Sequence, residues 1–96
     1  MAKPDPIKFA ASKLRLQRGL RKIIATHEQI RTDIEWWNAN RTDAEPFDVG
    51  GDIAVVALAR QVLALVNAER PIPKVLWDRL QGQIEANATE DEATYG

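Results

Sequence analysis

The chain has 96 residues, which is enough for one domain and too few for two. Hydrophobic residues make up 45% of it and charged residues 28%, so a small core can form. The absence of cysteine excludes disulfides and thiolate metal sites within the chain. There is no signal-peptide pattern and no uninterrupted apolar run of membrane-spanning length, and we therefore expect a cytoplasmic protein with no membrane partner.

The net charge of −1 hides an uneven distribution of charge along the chain. Residues 1–22 contain seven basic residues and one acidic residue, whereas residues 23–96 contain six basic and thirteen acidic residues. Such a split suggests either a basic arm that binds an anionic partner or two complementary ends of one assembly.

The first third of the chain predicts one long helix. Asp5 can cap the free N–H groups of the first turn, and Pro6 suits the first helical position. From Leu16 onward the apolar residues repeat at alternating intervals of three and four, which is typical of a coiled-coil seam. The seam contains Phe9, Leu16, Leu20, Ile23, His27, Ile30, Ile34 and Trp37. We expect a helix over about residues 6–41, with a possible break near Gly19.

Two shorter helices are predicted after a loop over residues 42–51, which contains Pro46 and two glycines. Asp52 is the expected cap of the second helix, whose apolar residues point nearly all round, as in the central helix of a bundle. Pro71 ends that helix and Pro73 begins the third. The predicted ranges are 53–69 for the second helix, 73–87 for the third and 88–96 for an acidic, frayed tail.

The predicted fold is therefore an all-α, three-helix antiparallel bundle with a long, partly projecting basic N-terminal helix. Helices 2 and 3 span about 25 Å each, against about 54 Å for helix 1, so they can cover only half of it. We expect the N-terminal half to project and its seam to be covered by another protomer or a partner. Residues predicted to mediate self-association are Leu16, Leu20, Ile23 and Ile30. A homodimer is plausible, in either helix orientation.

Five basic residues fall on the side of helix 1 opposite the seam and extend over about 21 Å. They are Lys8, Arg15, Arg18, Arg21 and Lys22. Three interpretations remain open: a merely solvated face, a docking site for an acidic protein surface, or a site for the phosphates of a nucleic acid.

The pair Trp36-Trp37 also has two interpretations, because the side chains differ by about 100° around the helix. Trp37 can meet the core while Trp36 covers the edge of helix 3 near Trp77. Alternatively, Trp36 is an anchor for a partner, since Trp is enriched at binding hot spots.

His27 is the only histidine and lies on the seam, where a packed polar residue fixes register. With Arg21 it forms an Arg-x5-His spacing that resembles the motif of HEPN-class helical ribonucleases, although Lys22 replaces the polar residue that usually follows the arginine. The length and helix order also resemble helical chorismate mutases. These resemblances imply a small all-α enzyme, which we keep as a distant alternative.

The sequence favours a non-enzymatic helical interaction protein, such as an adaptor, inhibitor or assembly subunit, that binds a protein partner through its surface. Lys8, Arg15, Arg18, Arg21, Lys22 and Trp36 are the predicted contacts. An accessory protein that binds nucleic acid through the same basic residues is the alternative. We predict no catalytic residue, cofactor or metal, because one histidine and scattered carboxylates offer no ligand cluster.

Overall fold

Three helices make up nearly all of the computed structural model, which describes residues 5–41 and 45–95, with side chains as far as residue 88. They are α1 (Pro6–Asn40), α2 (Gly50–Asn67) and α3 (Lys74–Tyr95). No strand occurs in this part of the chain. The predicted all-α three-helix fold is therefore confirmed.

Helix α1 is continuous over 35 residues, or about 52 Å at 1.5 Å per residue. The carboxylate of Asp5 accepts a hydrogen bond of 2.9 Å from the backbone N–H of Ile7, and Pro6 opens the helix as predicted. The helix passes through Gly19 without interruption, so the predicted alternative of a break there is wrong. The molecule is consequently a rod of 61 × 20 × 20 Å.

Helix α2 is the central element, as its apolar residues predict. Val55, Ala59 and Val62 are completely buried, and the core continues to Leu20 of α1 and Leu80 of α3. Among the described helices, α2 is the one long and apolar enough to cross a membrane. Its position between two amphipathic helices accounts for the same composition, because a bundle's central helix is apolar on most sides.

Contacts between side chains show that α1 and α2 run antiparallel. Going forward along α1, the contacts are Lys13 to Glu69, Gln17 to Asn67 and His27 to Asp52. The residue numbers rise in α1 while they fall from the end of α2 to its beginning. Because α2 thereby covers the N-terminal part of α1, the part that projects is the C-terminal one. Our expectation that the N-terminal half projects is wrong, because α2 runs back along that half and contacts it as far as Lys13.

The described part of the connection between α1 and α2 lies against the projecting end of α1. The amide of Asn38 donates to the carbonyl of Phe47 and accepts from its N–H group, both at 2.9 Å. Residues 42–44 of the predicted loop lie outside the described residues.

The ends of α2 and α3 differ from the predicted ones. Asp52 lies within the first turn of α2 rather than at its cap, because the helix begins at Gly50. After α2, Glu69 adopts a left-handed conformation (φ 57°), and the N–H of Arg70 bonds to the carbonyl of Leu65 at 2.9 Å, as in a Schellman motif. Helix α3 continues to Tyr95 instead of ending near residue 87, since no proline or glycine interrupts residues 83–95. Of the predicted tail, Gly96 lies outside the described residues.

Candidate interaction surfaces on helix α1

The outer face of α1 carries the five basic residues that the sequence places there: Lys8, Arg15, Arg18, Arg21 and Lys22. All five are exposed, whereas Gln17 and Leu20 point the other way, toward α2. Within the described part of the chain, none of the five forms an ion pair, while Lys13 on the side of α2 binds Glu69 at 2.9 Å. The positive charge of the outer face is therefore not neutralised by the chain's own described carboxylates.

Apolar side chains interrupt this basic surface. Ile7 and Leu14 are exposed among the bases, and Trp36 follows about five helical turns after Arg18 on the same side. Trp36 is 62% exposed. The outer face thus combines positive charge with large apolar groups.

Both tryptophans of the pair lie at the projecting end of α1. Their ring centroids are 6.5 Å apart, and the guanidinium of Arg41 lies 4.9 Å from the ring centroid of Trp37. Trp37 is 42% exposed, so the interpretation that buries it in the core is wrong. Trp77 lies elsewhere, against the N-terminal half of α1, so Trp36 does not cover it. The core ends before Trp37 because α2 begins only at the level of His27.

A second surface is a groove between α1 and α3. The two helices share the core with α2, but no Cα atom of α1 lies within 8 Å of one in α3 in the described ranges. The resulting groove has a volume of about 410 Å³ and is lined by Leu16, Gly19 and Ile23 of α1 and by Trp77 and Leu80 of α3. Its lining is largely apolar, and it was missed from sequence because it depends on the spacing of two helices.

The predicted self-association residues divide between this surface and the core. Leu16 is 37% exposed, and Ile23 and Ile30 are half-buried. Leu20 also borders the groove, but it is only 3% exposed and packs in the chain's own core, so almost none of its surface is available to another copy. Its assignment to a self-association surface is corrected on that ground.

A polar layer crosses the bundle where α2 begins. The Nδ1 atom of His27 lies 2.7 Å from a carboxylate oxygen of Asp52. Next to Asp52, Gly51 approaches the amide of Asn87, which is 6% exposed and accepts a hydrogen bond from Gln83 at 2.9 Å. The Nδ2 atom of Asn87 is buried without a partner among the described residues.

The layer explains His27 as the packed polar seam residue that the sequence favours. Arg21 belongs to the outer face, whereas His27 faces α2, so the two residues of the Arg-x5-His spacing do not converge. Asn87 was missed, although its place one heptad after the buried Leu80 marks it as inward-facing.

In comparisons with protein-family models, curated proteins and solved structures, no match was found. Within the described ranges, no three side chains of His, Asp or Glu come together in a way that could hold a metal ion.

Proposed function

We propose that the chain is a non-enzymatic helical interaction protein that binds an acidic protein surface through the outer face of α1. The observation that carries the proposal is the coincidence, on one side of one helix, of unpaired bases with exposed large apolar side chains. Exposure to solvent alone explains charged side chains on this face, but it does not explain the large exposed apolar side chain of Trp36.

The two kinds of side chain have separate roles in binding. The bases raise the rate of encounter with a negatively charged partner and discriminate against basic ones. Trp36 is rigid and large, and the burial of such a residue at the centre of an interface commonly accounts for about 2 kcal/mol or more. An acidic partner surface with an apolar pocket fits both roles.

A defined probe tests this proposal: an amphipathic helical peptide with glutamates along one face and leucines at its centre. The variant Arg18→Glu/Arg21→Glu/Lys22→Glu should lower its affinity at least tenfold, because three attractive charges become repulsive. The matched control Arg70→Glu/Lys74→Glu/Arg79→Glu changes the net charge equally, at exposed positions outside the outer face of α1. Of the three, Arg70 lies beside α1, but on the side that carries Phe9 and Leu16. Equal affinity of both variants would show that net charge alone governs binding and would refute the outer-face site.

Trp36→Ala tests the apolar part of the same surface. We expect a loss of affinity of about tenfold or more, against no change for Val75→Ala on α3, which is also highly exposed. An unchanged affinity of Trp36→Ala would remove the anchor and leave electrostatic attraction only.

Nucleic acid is the second candidate, and one observation favours it. No carboxylate lies within residues 6–22, so the five basic residues extend over about 21 Å without a negative charge between them. If all five basic side chains neutralise phosphates, the binding constant for duplex DNA should fall as salt is added. A plot of its logarithm against the logarithm of the salt concentration should have a slope of about −4.5. Binding to duplex DNA in preference to the acidic peptide, with that slope, would replace the protein-partner proposal.

A further inference from the structure

A stripe of apolar residues runs along the side of α1 that faces the groove. Beside the N-terminal half it contains Leu16, Gly19 and Ile23, which line the groove with α3. Beside the projecting half, Ile34 and Trp37 line a second groove of about 320 Å³ together with Phe47. Ile30 connects the two parts, because it follows Ile23 by one heptad. From Leu16 to Trp37 the stripe is about 32 Å long.

We infer that this stripe is the contact surface of an antiparallel homodimer, in which α1 of one copy lies along α1 of the other. A helix that covers the whole stripe must have an apolar face about 32 Å long. Helix α1 of a second copy has such a face, because it carries the same stripe. This inference does not rest on the proposed partner site, because the apolar stripe carries it, although Arg15 and Lys22 border both surfaces.

The spacing of the stripe is symmetric about its centre, which specifies the register. When two copies pair antiparallel about an axis near residues 26–27, Leu16 of one faces Trp37 of the other. In the same register, Gly19 faces Ile34 and Ile23 faces Ile30. A Cβ atom added at Gly19 would have nothing within 4 Å, so the space above this glycine is open to the Ile34 side chain of a second copy.

Charge favours the antiparallel orientation over the parallel one. The first half of α1 carries Arg15 and Lys22 on one flank of the stripe, and the second half carries Asp33 on the same flank. In an antiparallel pair, the first half of α1 in one copy lies beside the second half of α1 in the other, and the same flank of the stripe meets itself. Lys22 therefore lies near Asp33 of the second copy. Parallel pairing would instead place the basic halves side by side, where like charges repel.

Light scattering of the intact chain is the first test. We expect twice the single-chain mass of 10.8 kDa at high micromolar concentration. Gly19→Glu should give monomers with unchanged helical content, because the site is open within one copy. At a concentration low enough to dissociate the wild type, the unfolding midpoint of the variant should be equal or slightly higher, since glutamate favours a helix more than glycine does. Gly82→Glu is the matched control, since its surroundings on α3 are equally open, and it should remain dimeric. A monomeric wild-type chain, or a dimeric Gly19→Glu variant, would overturn the inference.

Cysteine cross-linking tests orientation and register, with no background because the chain has no cysteine. Gly19→Cys/Ile34→Cys should form an interchain disulfide under mild oxidation, whereas Gly19→Cys alone should form little. Efficient cross-linking by Gly19→Cys alone would mean a parallel pair and would refute the antiparallel register.

Discussion

The Nδ1 atom of His27 in the middle of α1 lies 2.7 Å from the Oδ1 atom of Asp52 in the first turn of α2. Both side chains are less than one-sixth exposed. A slide of α2 along α1 would separate these two groups and leave each without its partner. The contact therefore fixes the register of the two helices.

Replacement of Asp52 by alanine should lower the free energy of unfolding by about 2 kcal/mol, because His27 keeps its place but loses its hydrogen-bond partner. Urea denaturation at neutral pH measures the change. Asp78→Ala is the control, since that carboxylate is exposed and its contact with Lys74 is 3.5 Å long; its effect should stay under about 0.5 kcal/mol. The double variant His27→Ala/Asp52→Ala should be less destabilised than the sum of the single variants, and additivity would contradict the contact.

Gly51 tests the other side of the polar layer. A Cβ atom at this position would lie 2.4 Å from Oδ1 of Asn87, so Gly51→Ala should destabilise the chain by about 1–3 kcal/mol. Gly82→Ala, which meets open space in another helix, should instead stabilise it by about 0.5–1 kcal/mol. Both changes can be read from thermal unfolding. Gly51→Ala/Asn87→Ala should recover part of the loss, and no recovery would mean that strain at Asn87 is not the cause.

Local sequence signals predict most of the fold because they act within one helix. The cap at Asp5 sets the beginning of α1. The prolines on either side of Ile72 separate α2 from α3. The apolar residues of α2 identify it as the central helix. The predicted end of α3 is wrong because the acidic composition after Asn87 favours fraying, whereas no helix-breaking residue follows before Gly96 and the helix continues to Tyr95.

The candidate site was only partly predictable, since it depends on which part of α1 is covered. Helical periodicity alone places the basic residues on one exposed face. It cannot decide between Leu16 and Leu20, which lie on neighbouring seam positions and both border the groove, although Leu16 is 37% exposed there and Leu20 is buried in the core. That difference arises from the position of α2, which the heptad pattern of α1 does not contain.

Leu20 distinguishes a core residue from an interface residue. Leu20→Ala should lower the free energy of unfolding by about 2–5 kcal/mol, because it leaves a cavity among Val62, Leu80 and their neighbours. Leu14→Ala on the exposed side of the same helix should change it by less than about 0.5 kcal/mol. Chemical denaturation at several protein concentrations separates folding from association. A Leu20→Ala variant that keeps its stability but loses mass in light scattering would return Leu20 to the self-association surface.

Asn38 should hold the segment that leads into α2, because its amide makes both hydrogen bonds with the backbone of Phe47. Asn38→Ala should therefore speed hydrogen exchange at the Phe47 amide by about tenfold, equivalent to the loss of about 1.4 kcal/mol of local protection. Asn38→Asp retains the acceptor for that N–H group and should give an intermediate rate. Asn40→Ala is the control, because Asn40 donates to the carbonyl of Trp36 within α1 and not to the segment. If Asn40→Ala accelerated exchange at Phe47 as much as Asn38→Ala, fraying of the helix end rather than the loss of this amide pair would be the cause.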